Sequence, residues 1–295
     1  MTSNGSRMNA FHPAVTAVYF LSVISITMFS RNPVVTLAGF VGAVLAFPFF
    51  CDLKTVIRTI GGLAVTAALL TLINPFISQN GTTALFRLFG VSVSLEALLY
   101  GVNFAFTFSA VIIWGMCTGA VMKSEKIVYL LGKFAPKTAM VLSMSLRFIP
   151  LFADKARRIS RSRKALGLAE GEGRSRLGYA SKNFSALIGW SLENSVETSN
   201  SMRARGYGAS KRGTFFKYSF SRADGIVLAA SAAFTAANVV GQALGGGFDF
   251  YPRLTGIPCS PEDIISYAAF TALALMPATI ESAWRIKWKY YESKI

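Results

Sequence analysis

The sequence predicts an all-α, polytopic integral membrane protein with about six transmembrane helices and one basic helical insert. Two observations support this. Of the 295 residues 53% are hydrophobic, and the mean hydropathy is +0.46, more than the core of a soluble protein of this size needs. The net charge is +16. Most of it lies between Lys123 and Arg222, where 20 Lys and Arg outnumber 6 Asp and Glu.

Six apolar runs are long enough to cross a bilayer, which takes about 17 to 25 residues. They lie roughly at Ala14–Ser30, Val34–Phe50, Val56–Ile77, Leu95–Val121, Gly225–Leu244 and Ile264–Trp284. A turn at Arg31-Asn32-Pro33 separates the first two runs, because proline cannot continue the preceding helix. The second run contains Pro48 and is short enough to be re-entrant instead of spanning.

The charge distribution predicts how the chain crosses the membrane, since Lys and Arg are retained in the cytoplasm during insertion. Six spans with both termini inside place 27 Lys and Arg inside and 3 outside. We therefore expect a multi-pass protein of the cell membrane with both termini and the insert in the cytoplasm. The chain then divides into N-terminal transmembrane helices (1–122), a cytoplasmic region (123–222) and C-terminal transmembrane helices (223–295).

Two helices are predicted within the insert. The first, Thr138–Lys164, changes from apolar to basic along its length, and Pro150 should kink it where it leaves the membrane. After a loop at 168–177, the second runs over Lys182–Arg205 and ends at Gly206. An apolar stripe follows this second helix and consists of Phe184, Leu187, Ile188, Leu192 and Val196.

The residues argue against metal binding, cofactor binding, enzyme activity and nucleotide binding. The three cysteines, Cys51, Cys117 and Cys259, are scattered, and we interpret them as packing residues. The one histidine, His12, has no candidate ligand partners nearby. We expect neither a metal site nor a cofactor, and no enzyme activity. Gly208 and Gly213 have the spacing of a phosphate loop, but Thr214 stands where that loop requires lysine.

The basic residues have more than one possible partner. Nucleic-acid-binding motifs are missing, so we expect no nucleic acid partner. Anionic lipid is a plain alternative around Lys211, Arg212 and Lys217, at about 1 kcal/mol per cation. A self-contained channel or secondary transporter with a lipid-binding insert is therefore the rival interpretation. Such a protein usually has ionisable residues at mid-membrane, and these are scarce here.

The end of the second insert helix reads Arg203-Ala204-Arg205-Gly206-Tyr207. Basic residues in a last helical turn complement the helix dipole, and glycine allows a left-handed stop. Guanidinium groups at an exposed helix end also suit bidentate pairing with carboxylates of a partner protein. The residues alone favour neither interpretation over the other, and both can hold.

Two short motifs give the chain a specific resemblance. The run Leu146-Arg147-Phe148-Ile149-Pro150-Leu151 is similar to the Arg-Phe-Ile-Pro segment of the transmembrane T component of energy-coupling factor transporters, and Ala204-Arg205-Gly206 is similar to that family's second coupling motif. In this order, about fifty residues apart in a basic insert, they are specific. These transporters are ABC-type importers of vitamins and transition metals.

The resemblance implies a coupling role. The T component docks on two ATPase subunits through two coupling helices and passes their motion to a substrate-binding S component in the membrane. Arg203, Ala204, Arg205 and Gly206 would form one coupling tip. The other would be Lys164-Ala165-Leu166-Gly167, where Leu166 replaces the arginine usual in the family and Lys164 or Arg163 substitutes for it.

The predicted topology can be tested by cysteine labelling in a background that lacks the three native cysteines. A membrane-impermeant maleimide added to intact cells should label a cysteine at Thr255, because that loop is predicted to lie outside. A cysteine at Ser175 should react only after the cells are permeabilised. Labelling of position 175 alone in intact cells would show that the orientation is inverted.

Overall fold

A computed structural model describes residues 7–77, 84–88, 91–167, 174–209, 218–245, 248–250, 256, 258 and 260–292. For 84–88, 91–93 and 174–177 the description is of the backbone. The predicted loop at 168–177 lies mostly outside the described residues, as do Cys259 and the basic residues Lys211, Arg212 and Lys217.

The described part of the chain is built from nine α-helices, which confirms the prediction of an all-α protein. They are α1 (Pro13–Phe29), α2 (Pro33–Phe50), α3 (Leu53–Ile77), α4 (Leu95–Val121), α5 (Ser124–Phe134), α6 (Pro136–Ala165), α7 (Arg174–Ala204), α8 (Arg222–Leu244) and α9 (Pro261–Glu292). A 3₁₀ turn at Arg7–Asn9 precedes α1. Each predicted apolar run is a helix. Five helices, α2, α3, α4, α8 and α9, are long and apolar enough to cross a membrane, and α1 is a shorter apolar helix.

Two elements were not predicted. The helix α5 lies between α4 and α6, and its eleven residues mix charged and apolar side chains. An antiparallel hairpin connects α3 to α4, with β1 (Ala84–Leu88) pairing with β2 (Val91–Ser94). The second insert helix also begins at Arg174, eight residues before the predicted start at Lys182. Residues 174–181 are mostly polar or small and lack the apolar periodicity that indicates an amphipathic helix.

Polar side chains fix where several helices begin. Asn32 caps α2 by accepting a hydrogen bond from the amide of Val34 (3.1 Å), with proline at the first helical position. At α8, Ser221 and Asp224 form a capping box, in which each side chain accepts from the other's backbone amide (3.2 and 2.8 Å). These caps satisfy amides that the helices themselves leave unpaired.

Contacts divide the chain into two compact units. The first, which we call the apolar unit, comprises 1–123 and 218–295 and contains α1 to α4, the hairpin, α8 and α9. The second, the basic unit, comprises 124–217 and contains α5, α6 and α7. In the apolar unit α4 packs against α1, α2 and α3, while α9 packs against α2 and α8.

Aromatic side chains fill the centre of the apolar unit. Tyr19, Phe20 and Trp114 are fully buried and meet edge to face, with ring centroids 5.2 to 6.3 Å apart. Their polar atoms are paired across helices. The hydroxyl of Tyr19 donates to the carbonyl of Leu273 (2.9 Å), and the indole N–H of Trp114 donates to the carbonyl of Gly39 (3.1 Å). These bonds tie α1 to α9 and α4 to α2.

Glycines bring α9 into close contact with its two neighbours. A Cβ added to Gly42 of α2 would lie 2.7 Å from the Cβ of Ala274, and one added to Gly241 of α8 would lie 2.7 Å from the Cβ of Ser266. Gly241 and Gly245 are four residues apart, the spacing of small residues that lets membrane helices approach closely. At the same crossing the buried Asn238 side chain donates to the carbonyl and hydroxyl of Ser266 (3.1 and 3.0 Å).

The helix α3 is the least buried of the candidate spans and packs mainly along α4. Its contact includes Gly101 of α4, where an added Cβ would lie 3.0 Å from the side chain of Asn74. The Asn74 amide also donates to the carbonyl of Ala97 (2.6 Å). Much of the rest of α3 is exposed and apolar, as expected of a helix that faces lipid or another membrane protein.

The contact between α2 and α9 predicts a difference between two glycine substitutions. Gly42→Ala should destabilise the protein by about 1 to 3 kcal/mol, because its methyl group would overlap Ala274. The matched control is Gly62→Ala in α3, where nothing lies within 4 Å of an added Cβ and alanine favours the helix by about 0.5 to 1 kcal/mol. Thermal unfolding in detergent should show a lower midpoint for the first variant alone. Equal midpoints would contradict the observed packing.

Candidate functional site

Aromatic and cationic side chains join α6 to α7 in the basic unit. Phe152 of α6 meets Trp190 of α7 edge to face, with centroids 5.7 Å apart, and the Lys155 ammonium lies 5.1 Å from the same indole. Nearer the end of α6, the hydroxyl of the buried Tyr179 donates to the carbonyl of Ser160 (3.1 Å). These contacts hold the two long helices in a fixed relation.

The order of these contacts shows that α6 and α7 run antiparallel. Phe152 contacts Trp190, whereas Ser160, further along α6, contacts Tyr179, earlier in α7. The C-terminal ends of the two helices therefore lie beyond opposite ends of the contact. Beyond Trp190, α7 continues for another 14 residues, or about 21 Å, before it ends at Ala204.

The C-terminal end of α7 is the first of the two predicted coupling tips. Gly206 has a φ of +78°, in the left-handed region that glycine adopts without strain. Its amide donates to the carbonyl of Arg203 (2.9 Å), and the amide of Tyr207 donates to the carbonyl of Met202 (3.0 Å). This bond pair is a Schellman motif, which ends the helix and satisfies its last carbonyls. Arg205 therefore stands directly after Ala204, the last residue of α7.

The C-terminal end of α6 is the second predicted tip and uses the same device. Gly167 has a φ of +76°, and its amide donates to the carbonyl of Lys164 (3.1 Å). The amide of Leu166 donates to the carbonyl of Ser162 (3.1 Å). Both predicted tips are thus helix ends closed by a left-handed glycine, although only one of them has the arginine usual at that position.

The charged groups at the two tips differ. Arg203, Ala204 and Arg205 are exposed, and among the described residues neither arginine forms an ion pair. At the α6 tip the guanidinium of Arg163 lies 5.1 Å from the centre of the Tyr179 ring. Arg163 therefore helps to join α6 to α7. The exposed residues of this tip are Lys164, Ala165, Leu166 and Gly167.

The predicted membrane-exit segment lies in the middle of α6. Arg147, Phe148 and Pro150 belong to one continuous helix, so Pro150 does not end it. Arg147 and Pro150 are exposed, while Phe148 stacks on Phe152 with centroids 5.8 Å apart. This segment is separate from both tips and continues into the aromatic contact with α7.

The apolar stripe on α7 is not the face that packs against α6. The stripe is largely exposed, with 64% of Phe184, 44% of Ile188, 65% of Leu192 and 60% of Val196 accessible, and Leu187 is half-buried. The packed face instead contains Tyr179 and Trp190. An exposed stripe of four large apolar side chains marks a surface for lipid or another protein.

Two of the three cysteines and the one histidine lie within the described residues. Cys117 is fully buried in the core of the apolar unit. Burial, aided by the neighbouring carboxylate of Asp52, raises the pKa of the Cys51 thiol, so less reactive thiolate is present. His12 caps α1 by accepting from the amide of Ala14 (3.2 Å). In the described part of the chain no group of three or more His, Cys, Asp or Glu could hold a metal ion.

The apolar helices make this a polytopic helical membrane protein. Its two long basic helices each end in an exposed tip that is closed by a glycine. The family described as "CbiQ: Cobalt transport protein" matches residues 6–214, more than two thirds of the chain and both tips. The chain belongs to this family. It is a membrane component of a transport system, and its similarity to the T component is thereby confirmed.

A second comparison finds a much longer relative. A protein of Bifidobacterium longum named as an ABC transporter ATP-binding protein is 29% identical over 182 residues. The match covers 57% of this chain and 23% of that protein. This chain therefore spans about a quarter of the length of the curated relative that it matches.

The left-handed glycine of the α7 tip predicts a local change on substitution. Gly206→Ala should increase amide hydrogen exchange around 203–207 about tenfold, because an L-residue at this φ costs about 1 to 2 kcal/mol. Gly206→Asn should have a smaller effect, since asparagine tolerates this region. Gly189→Ala, in the middle of the same helix with open space around it, is the control and should leave exchange at the tip unchanged. An unchanged rate in Gly206→Ala would show that the glycine does not hold the tip.

Proposed function

We propose that this chain is the energy-coupling transmembrane subunit of an energy-coupling factor importer of the ABC type. It passes the ATP-driven motion of two ATPase subunits to a separate S component, which binds the substrate. The observation that supports this most directly is the pair of glycine-terminated helix tips in the basic unit of a chain from a transport family. The two tips give one docking point for each ATPase subunit.

The proposal that the ATPases are separate subunits draws on two facts. The candidate phosphate loop at Gly208 and Gly213 has Thr214 at the position of the required lysine. The Bifidobacterium relative is named as an ATP-binding protein, and 77% of it lies outside the match. We assign the ATP-binding function in that name to the part outside the match, and we expect separate ATPase subunits to supply it here.

The tips would bind the ATPases in different ways. At the α7 tip, the planar guanidinium of Arg205 can make paired hydrogen bonds to a carboxylate in a groove of the ATPase. Gly206, which has no side chain, allows that groove to approach the backbone. At the α6 tip, Leu166 is 75% exposed and would enter an apolar pocket, with Lys164 supplying the charge.

The two long helices can transmit the motion of the ATPases. Helices α6 and α7 have 30 and 31 residues, or about 45 Å each. Because aromatic contacts join them near Trp190, a displacement at either tip moves the pair instead of bending one helix alone. The exposed apolar stripe of α7 and the exposed helix α3 are the surfaces that we assign to the S component. The family name makes cobalt the first ion to test, within the wider class of vitamins and transition metals.

Anionic lipid is a further proposed partner, and the C-terminal part of α9 adds described residues to this proposal. Trp284 and Trp288 lie edge to face with centroids 5.8 Å apart, and Arg285, Lys287 and Lys289 alternate with apolar and aromatic residues along the same helix. Aromatic and basic residues together favour the interface between lipid and water. This helix end would anchor the subunit at the cytoplasmic surface.

Substitution of Arg205 tests the docking role of the α7 tip. Arg205→Ala should weaken co-purification with co-expressed ATPase subunits tenfold or more, because loss of one member of a buried charged pair costs about 2 to 5 kcal/mol. Arg205→Lys keeps the charge but loses the planar fork, so it should also impair uptake while leaving membrane insertion intact.

The controls separate docking from simple charge. Lys211→Ala and Lys217→Ala remove the same charge outside the tip and should leave ATPase association nearly unchanged. The double variant of Arg203 and Arg205 shows whether the neighbouring arginine compensates. If the control variants weaken association as much as Arg205→Ala does, total charge and not the tip is responsible, and the docking role of Arg205 is wrong.

A further inference from the structure

A cavity of about 260 Å³ lies in the apolar unit, at the end where α1 passes to α2 and α8 leads towards α9. Its lining includes three aromatic side chains, two amides and two carboxylates; these are Phe29, Phe248, Tyr267, Asn32, Gln242, Asp249 and Asp263. The tips of the basic unit have no part in it, so nothing in the proposed coupling role uses this cavity.

Asp263 is the unusual residue in the cavity wall. It is 3% exposed, yet its Oδ2 atom has no hydrogen-bond partner among the residues that the structure describes. Asp224 offers a direct comparison, because it also stands third in its helix. Asp224 accepts from the amides of Ser221 and His12 at 2.8 and 2.9 Å, so both of its oxygens are used.

The surroundings of Asp263 are shaped to hold this carboxylate. A Cβ on Gly245 would lie 2.0 Å from Oδ1, so only glycine at that position leaves room for the acid. The N-terminal end of the 32-residue helix α9 favours a negative charge at this point. A buried carboxylate without a partner is nevertheless costly, and such groups in proteins are paired with a cation or a donor. The partner must therefore come from outside the described residues.

Among the described residues that line the cavity, Arg31 is the cation, and it pairs with another acid. Its guanidinium lies 3.8 Å from the carboxylate of Asp249, and both side chains are well exposed, at 82% and 61%. This exposed ion pair lies on the cavity lining and leaves Asp263 to another partner.

The chemistry of the lining indicates which kind of cation fits. The described residues offer no set of three or more carboxylates, imidazoles or thiols, which a transition-metal ion would require. Aromatic rings stabilise organic cations through their negative faces, and three of them line this cavity. The Nε2 atom of Gln242 donates to Asn238 (2.9 Å), which leaves Oε1 as a second acceptor for an N–H donor.

We propose that this cavity binds the ammonium group of a small organic amine, with Asp263 as the counter-ion and Phe29, Phe248 and Tyr267 around the organic part. Gln242 accepts a further hydrogen bond from the ammonium. The site is independent of the ATPase docking tips, so it stands or falls separately from the coupling function.

The experiment uses the purified full-length chain in detergent micelles with n-butylammonium chloride as the probe, measured by isothermal titration calorimetry at constant ionic strength. Saturable binding is expected. 1-Butanol, which has the same alkyl chain without the charge, should bind at least tenfold more weakly. This comparison needs no variant, and equal binding of the two probes would overturn the proposal.

Two variants and one matched control locate the site. Asp263→Asn should weaken butylammonium binding at least tenfold, and Gln242→Leu, at an exposed position, should weaken it severalfold. Glu262→Gln removes an exposed charge from the adjacent residue of the same helical turn and should leave binding unchanged. If Glu262→Gln weakens binding as much as Asp263→Asn does, or if neither cavity variant changes it, the amine does not bind in this cavity.

Discussion

The close backbone approach of α9 to α2 and α8 determines how the rest of the apolar unit is arranged. Apolar side chains gain little by leaving lipid for a neighbouring helix, so membrane helices associate through dense packing and buried hydrogen bonds. Gly42 and Gly241 make that approach possible at Ala274 and Ser266. Tyr19 then reaches from α1 to the carbonyl of Leu273. This hydrogen bond requires the helix spacing that the glycines set.

The basic unit depends on a different constraint, the satisfaction of backbone carbonyls at helix ends. Gly167 and Gly206 end α6 and α7 in the left-handed conformation, and each end remains exposed. The helix dipole is negative at such an end, so the basic residues there are stabilised before any partner binds. In the coupling role proposed above, the same residues would then pair with an acidic groove of the ATPase. Capping and docking are therefore compatible uses of one short motif, which the sequence could not separate.

Asp224 and Asp263 show how tertiary contacts give the same local position two different chemical roles. Both are acidic residues in the first turn of an apolar helix. The amide of His12, brought from the start of α1, helps to satisfy the first. The second lies against Gly245 and the cavity, where the described chain offers its Oδ2 no donor. A capping pattern in the sequence therefore does not show that one of the two acids lacks a partner.

The sequence by itself determined the helical class, the six apolar segments and the two glycine-terminated ends, because hydrophobic runs, Asn32 before Pro33 and glycine after basic residues act locally. Tertiary structure decided which faces meet. It left the Phe184 to Val196 stripe of α7 exposed, placed Arg163 over Tyr179, and formed the cavity around Asp263. Periodicity shows which side chains share a helix face. It does not say which neighbour covers that face, because this depends on packing between segments far apart in the chain.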